Sequence, residues 1–183
     1  RRGCFPKFDK FIEQTKDVWT HLVDIRKSFE PRAEELAKKY ALAPYTMFIG
    51  SGALWGETIL FSMCILEEMQ WKRTRYITSA DFFHGTLELV EPGVPVFLFM
   101  GEDENRKLDE RVRAFLTRGV TGDTDINIID TAEFAIPGLD DEFRVIVSPW
   151  ILTVLVTDRL ARYYETVTKH NLKYRRYYHQ FDY

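Results

Sequence analysis

The chain has 183 residues, 45% hydrophobic and 29% charged, enough for one medium domain with a core of its own. Its net charge of -3, with Lys and Arg dispersed except at Lys173-Tyr174-Arg175-Arg176, argues against a nucleic-acid-binding surface. Cys4 and Cys64 are too few for a disulfide framework or a metal centre, and the apolar run around Val154-Leu155-Val156 is far too short to span a membrane.

No signal-peptide pattern opens the chain, so the expected compartment is the cytoplasm. The chain starts at Arg1 without an initiator Met and helical pattern follows at once, which suggests a fragment of something longer. Phe8, Phe11, Ile12, Trp19, Leu22, Ile25 and Phe29 recur at three- and four-residue steps, predicting one amphipathic helix. Pro31 interrupts it. Ala33, Leu36, Ala37 and Tyr40 continue as a second helix that Pro44 closes.

Thr46-Met47-Phe48-Ile49 is a short apolar run that stops at Gly50-Ser51-Gly52, and a long apolar-periodic segment follows from Ala53 to Gln70. Strand, glycine turn and helix open an α/β unit. Arg75 to Thr78 predicts a second strand and Gly85 to Leu89 a short helix. Val96 to Met100 is the unbroken apolar run of a parallel strand buried on both faces. Leu108 to Leu116 predicts a helix and Ile126 to Ile129 a strand. Pro149 suits the first turn of a final helix reaching about His170, where its missing N–H costs nothing. Val145-Ile146-Val147 fits either a last strand or the lead-in to that helix. The predicted fold is a three-layer α/β/α sandwich on a mostly parallel, flavodoxin-like sheet. Residues 1–44 form helices packed on it, 45–170 the α/β domain, and 171–183 a tail that contributes to the site or an interface.

Two residues are candidates for proton-transfer chemistry. Glu68 ends the long helix, and His84 follows Phe82 and Phe83 just before Gly85. A carboxylate and an imidazole are what a proton-shuttling reaction needs, one taking a proton and the other giving one. A solvated helix end and a buried, satisfied histidine are the ordinary readings of such residues. Against the first, Glu68 faces the negative end of the helix dipole, with Met69 and Trp71 to shield it from water. Glu67, one residue back, should point about 100° away around the helix. The Gly50-Ser51-Gly52 turn opens a helix whose free N–H groups favour an anion, although a tight crossover turn needs the same residues. His21 and His170 read as surface residues. No His/Cys/Asp cluster has metal-ligand spacing.

Glu68-Met69-Gln70-Trp71 followed by Phe82-Phe83-His84-Gly85 resembles a block of the sugar isomerase (SIS) family, within it the deglycases that cleave 6-phosphorylated Amadori compounds. The Gly50-Ser51-Gly52 turn and the end Arg175-Arg176-Tyr177-Tyr178-His179-Gln180-Phe181-Asp182-Tyr183 resemble the same group. Thr86 stands where a related synthase has a proline, and no lysine follows Lys173, which sets the chain apart from aldose–ketose isomerases with a lysine near their C-terminus. The resemblance implies the C-terminal half of a double-SIS protein, because the family's Ser/Thr-rich phosphate loop is absent.

It further implies Glu68 and His84 as the acid–base pair. Gly50, Ser51, Gly52, Arg175, Arg176 and Tyr177 become substrate contacts, and no cofactor is needed. The implied partners are a phosphorylated sugar–amino acid conjugate, an N-terminal SIS domain and a second copy in a homodimer, with neither nucleic acid nor membrane. The competing readings are a plain phosphosugar isomerase and a non-catalytic sugar-phosphate sensor.

Overall fold

Four parallel strands in the order β2-β1-β3-β4 form the central layer: β1 Tyr45–Gly50, β2 Arg73–Ile77, β3 Val96–Met100 and β4 Ile126–Asp130. The computed structural model describes residues 3–119 and 122–182, so Arg1 and Tyr183 of the segments singled out above lie outside the described residues. Register is fixed across the sheet, with Phe48 opposite Tyr76 and Phe97, and Leu98 opposite Ile128.

Side-chain alternation along each strand divides the interior in two. Phe48, Phe97 and Phe99 face a large core with α2 (Val18–Ser28), α3 (Glu30–Tyr40) and the two long helices. Met47, Ile49, Val96, Leu98 and Met100 face a smaller one with Phe82, Val112 and Leu116. The fold is therefore the expected three-layer α/β/α sandwich. The central strands β1 and β3 have no solvent face, which is why they read as continuous apolar runs.

The N-terminal helix is two helices, α1 (Phe8–Thr15) and α2, broken at Lys16 and Asp17. Its apolar period overstates burial. Leu22, Ile25 and Phe29 enter the core, but Phe8, Ile12 and Trp19 are exposed. Trp19 instead stacks on Trp150 with ring centroids 5.7 Å apart.

Helix α4 spans residues 52–70 and contains a π-helical stretch, Leu60–Glu67, before its last turn Glu68–Gln70. After β2 come a short α5 (Ser79–Phe82), which has no apolar period long enough to mark it in sequence, and a 3-10 turn Thr86–Leu89. Helix α6 is Arg106–Leu116. The final helix α7 spans residues 141–168 with its own π stretch, Thr153–Leu160.

Pro149 does not begin α7 but lies inside it, and Val145-Ile146-Val147 is helical. Proline at 149 leaves the Val145 carbonyl without its backbone donor. The Ser148 hydroxyl donates to that carbonyl at 3.4 Å. Among the described residues, no helix is long and apolar enough to cross a membrane, and no three His, Cys, Asp or Glu side chains gather as a metal site.

Candidate active site

A parallel sheet puts every strand's C-terminal end on one edge, and each crossover helix returns the chain to the other. Helix α4 leaves the C-terminal end of β1 and delivers Glu68 to the opposite edge, just before β2 begins at Arg73. His84 lies beyond the other end of β2, after α5, and is exposed. At ~3.3 Å per residue, the length of β2 alone puts roughly 13 Å between the two edges. Within one chain the structure does not bring Glu68 and His84 together. Their closeness in sequence hides a strand that separates them.

The Glu68 edge carries a cleft of about 390 Å³ lined by Glu67, Glu68, Trp71, Lys72 and the tail residues Arg175 to Tyr178. Its walls are two helix ends locked together. Helix α4 stops at Trp71, which adopts the left-handed conformation (φ 53°, ψ 33°) usually left to glycine. That choice costs about 1–2 kcal/mol in a residue with a side chain. The Lys72 N–H closes the cap on the Leu66 carbonyl at 2.9 Å.

Helix α7 ends beside it at Lys169, also left-handed. Buried Gln70 joins the two ends, its amide N–H donating to the His170 carbonyl while its oxygen accepts from the Thr168 hydroxyl at 2.7 Å. His170 is not the free surface residue expected: its ring meets Trp71 at 4.3 Å and Tyr174 at 5.3 Å.

The clamp directs the tail across the cleft. Arg175 pairs with Glu68, Nε to Oε1 at 2.9 Å, and its Nη1 donates to the Leu172 and Tyr174 carbonyls. Arg176 lies over the Trp71 indole at 4.3 Å, and Tyr177, largely exposed, lines the rim. Thus Glu68, Arg175, Arg176 and Tyr177, distant in sequence, share one cavity. Glu67 does not point away from it. It lines the same cleft and accepts a hydrogen bond from the Thr74 hydroxyl. Burial pushes the Lys72 ammonium below the usual lysine range.

The Gly50-Ser51-Gly52 turn lies on the opposite edge and already holds an anion. The Asp103 carboxylate accepts from the Ala53 N–H at the start of α4, and a Cβ on Gly52 (φ +55°) would overlap it. A Cβ on Gly50 would strike the Thr58 hydroxyl. Buried Ser51 accepts from the Ser79 N–H at 2.7 Å. These contacts account for Gly-Ser-Gly as packing, and the adjoining hollow is rimmed by Glu102, Asp103, Glu104, Asp141 and Glu142. Asp103 sits in a polar run, Glu102 to Asn105, that reads as solvated loop, so no sequence signal marked it. The same edge buries Asp109, which accepts from Ser79 Oγ and, at 3.2 Å, from the Gly101 N–H; desolvation pushes its carboxyl up to about 6.

No family model matches the chain. Fructosamine deglycase FrlB of Bacillus subtilis is 28% identical over 174 residues, 93% of this chain and 51% of that protein. Fructoselysine 6-phosphate deglycase of Escherichia coli K12 is 29% identical over 175 residues, 94% of this chain and 47% of that protein. A putative phosphosugar isomerase from Bacillus subtilis superposes with a TM-score of 0.88 at 27% identity, covering 97% of this chain and 53% of that one. The chain is similar over almost its whole length to the fructosamine and fructoselysine 6-phosphate deglycases and shares its fold with a phosphosugar isomerase, and it spans about half the length of those relatives.

Proposed function

We propose that this domain supplies the proton-transfer residues of a deglycase, which converts a 6-phosphorylated 1-amino-1-deoxyfructose carrying an amino acid into glucose 6-phosphate and the free amino acid. The observation that carries the reading is Glu68, held by Arg175 in a cleft roofed by the tail, in a chain related along almost its whole length to named deglycases.

In the ring-opened substrate, Glu68 takes a proton from the carbon between the carbonyl and the amine. The electron pair moves onto the carbonyl oxygen, giving an enaminol. Proton return to the former carbonyl carbon leaves an imine, and water adds to it and expels the amino acid. A general acid must protonate the developing oxyanion or that carbon, and His84 is our assignment. Because His84 sits across the sheet from Glu68 in its own chain, it would serve the Glu68 cleft of a second copy. The site is then complete only in a dimer.

The sugar phosphate would be held by a sister domain with a phosphate loop. The exposed Phe8, Ile12, Trp19 and Ile146 on the N-terminal helices and α7 give such a domain or a second copy an apolar face to cover.

Product analysis tests the reading. Incubation of the full-length protein with fructoselysine 6-phosphate should release free lysine and glucose 6-phosphate, and Glu68→Gln should slow both by about 10²–10⁴. Interconversion of fructose 6-phosphate and glucose 6-phosphate, with no amino acid released from the conjugate, would assign the domain to a plain isomerase instead.

A further inference from the structure

Beside the Glu68 cleft, and sharing Trp71, Lys72 and Arg176 with it, lies a second hollow of about 320 Å³ lined by Pro44, Trp71, Lys72, Arg73 and Arg176. Its charges are all of one sign. Among the described residues, no carboxylate lies within ion-pair distance of Lys72, Arg73 or Arg176, whereas the partly buried Arg106, Arg144 and Arg159 pair with Asp130, Glu102 and Glu30.

β2 is an edge strand, and cations on such an edge discourage pairing with another chain. That accounts for Arg73 but not for the other two. Lys72 is half-buried in the helix cap, and Arg176 reaches the hollow from the tail, braced on Trp71. A cation taken partly out of water without a partner is disfavoured, and the depressed Lys72 ammonium records that cost. An anion in the hollow would offset it, and Arg176 and Lys72 would grip it from two sides.

We infer that Lys72, Arg73 and Arg176 form a subsite for an oxyanion of the substrate, adjoining Glu68. The subsite itself follows from the charges and the cavity; the identity of the anion rests on the deglycase reading. Such a substrate offers two oxyanions, the carboxylate of its amino acid and the sugar phosphate. In a conjugate linked through its α-amine, the carboxylate is borne by the carbon attached to that amine, close to the carbon on which Glu68 would act, so it is the nearer of the two.

The test titrates the full-length protein calorimetrically with three compounds: 6-phosphorylated fructosyl-valine linked at its α-amine, its α-carboxamide, and the unphosphorylated conjugate. The wild-type protein should bind the carboxamide at least tenfold more weakly, and Lys72→Met/Arg73→Gln should remove most of that discrimination, with Arg176→Gln as a second reading should the double variant fold poorly. A loss with the unphosphorylated compound that the variants remove instead would assign the phosphate to this subsite rather than to the sister domain. Both discriminations unchanged in the variants would overturn the subsite. Amino-acid release is measured on the same samples. Its absence with the discrimination intact would end the deglycase reading and leave the subsite standing.

Discussion

Arg175 and Glu68 meet at 2.9 Å, so the tail of the chain and the last turn of helix α4 are tied at the carboxylate assigned to proton abstraction. Both side chains keep some contact with water, and partly exposed pairs contribute little to stability, about 0–1 kcal/mol. The pair's consequence is positional. Arg175→Met should therefore leave the melting temperature nearly unchanged while lowering kcat/KM by roughly 10-fold or more, because a loosely held group loses much of its catalytic advantage. A large fall in melting temperature with normal kcat/KM would reverse that assignment.

Glu67 and Glu68 line the same cleft, yet their partners differ: a threonine hydroxyl for one and a guanidinium for the other. Glu68→Gln should cost about 10²–10⁴ in turnover, the range for a positioned acid or base. Glu67→Gln can still accept from Thr74 and should cost less than tenfold. The opposite ranking in steady-state assays would move the general base to Glu67.

Gln70 is buried and joins the ends of α4 and α7 through both faces of its amide. Gln70→Ala removes a buried donor and acceptor together with their packing, and should destabilise the fold by about 1–3 kcal/mol. It should also raise KM, because the tail leaves α7 at this point. Denaturant unfolding and kinetics on the same variant check the two effects.

Asp109 gives the fold a pH dependence of definite sign. Its carboxyl is pushed up to about 6 in the folded chain, against about 3.9 unfolded, so between these values the folded state binds the extra proton. Stability from this group is fully present below the lower value and falls as pH rises through about 6, in all by roughly 3 kcal/mol. Melting temperatures of the wild type and Asp109→Asn, taken from pH 4 to 7, should differ in slope. The wild type should lose more stability than the variant as the pH rises, and parallel curves would contradict the assignment.

The sheet was legible because β1 and β3 have no polar face, and Gly50, Gly101 and the prolines bound the runs. Three things were not. Pro149 suits a helix start by propensity, yet it sits in the interior of α7, where the Ser148 hydroxyl donates to the Val145 carbonyl. Trp71 at a left-handed cap has no composition signal, since glycine is the usual occupant. Gly50-Ser51-Gly52 looks like an anion turn because it is one, but its anion is Asp103, supplied from far along the chain.

Of the candidate site, the grouping of Glu68 with Arg175, Arg176 and Tyr177 came from family resemblance, since nothing in local pattern says where a tail folds back. The separation of His84 from Glu68 follows from parallel topology, once β2 is placed between them.

That separation makes the central claim, a site shared between two chains, directly testable. Glu68→Gln and His84→Ala are each made in the full-length protein, assayed alone, and then co-expressed so that mixed dimers form. If each site takes Glu68 from one chain and His84 from the other, the single variants are nearly inactive. A mixed dimer then carries one site with both defects and one with none. Random pairing in a two-fold dimer should restore roughly a quarter of wild-type amino-acid release. Mixed dimers that stay as inactive as their parents would contradict the account and require both groups to act within one chain.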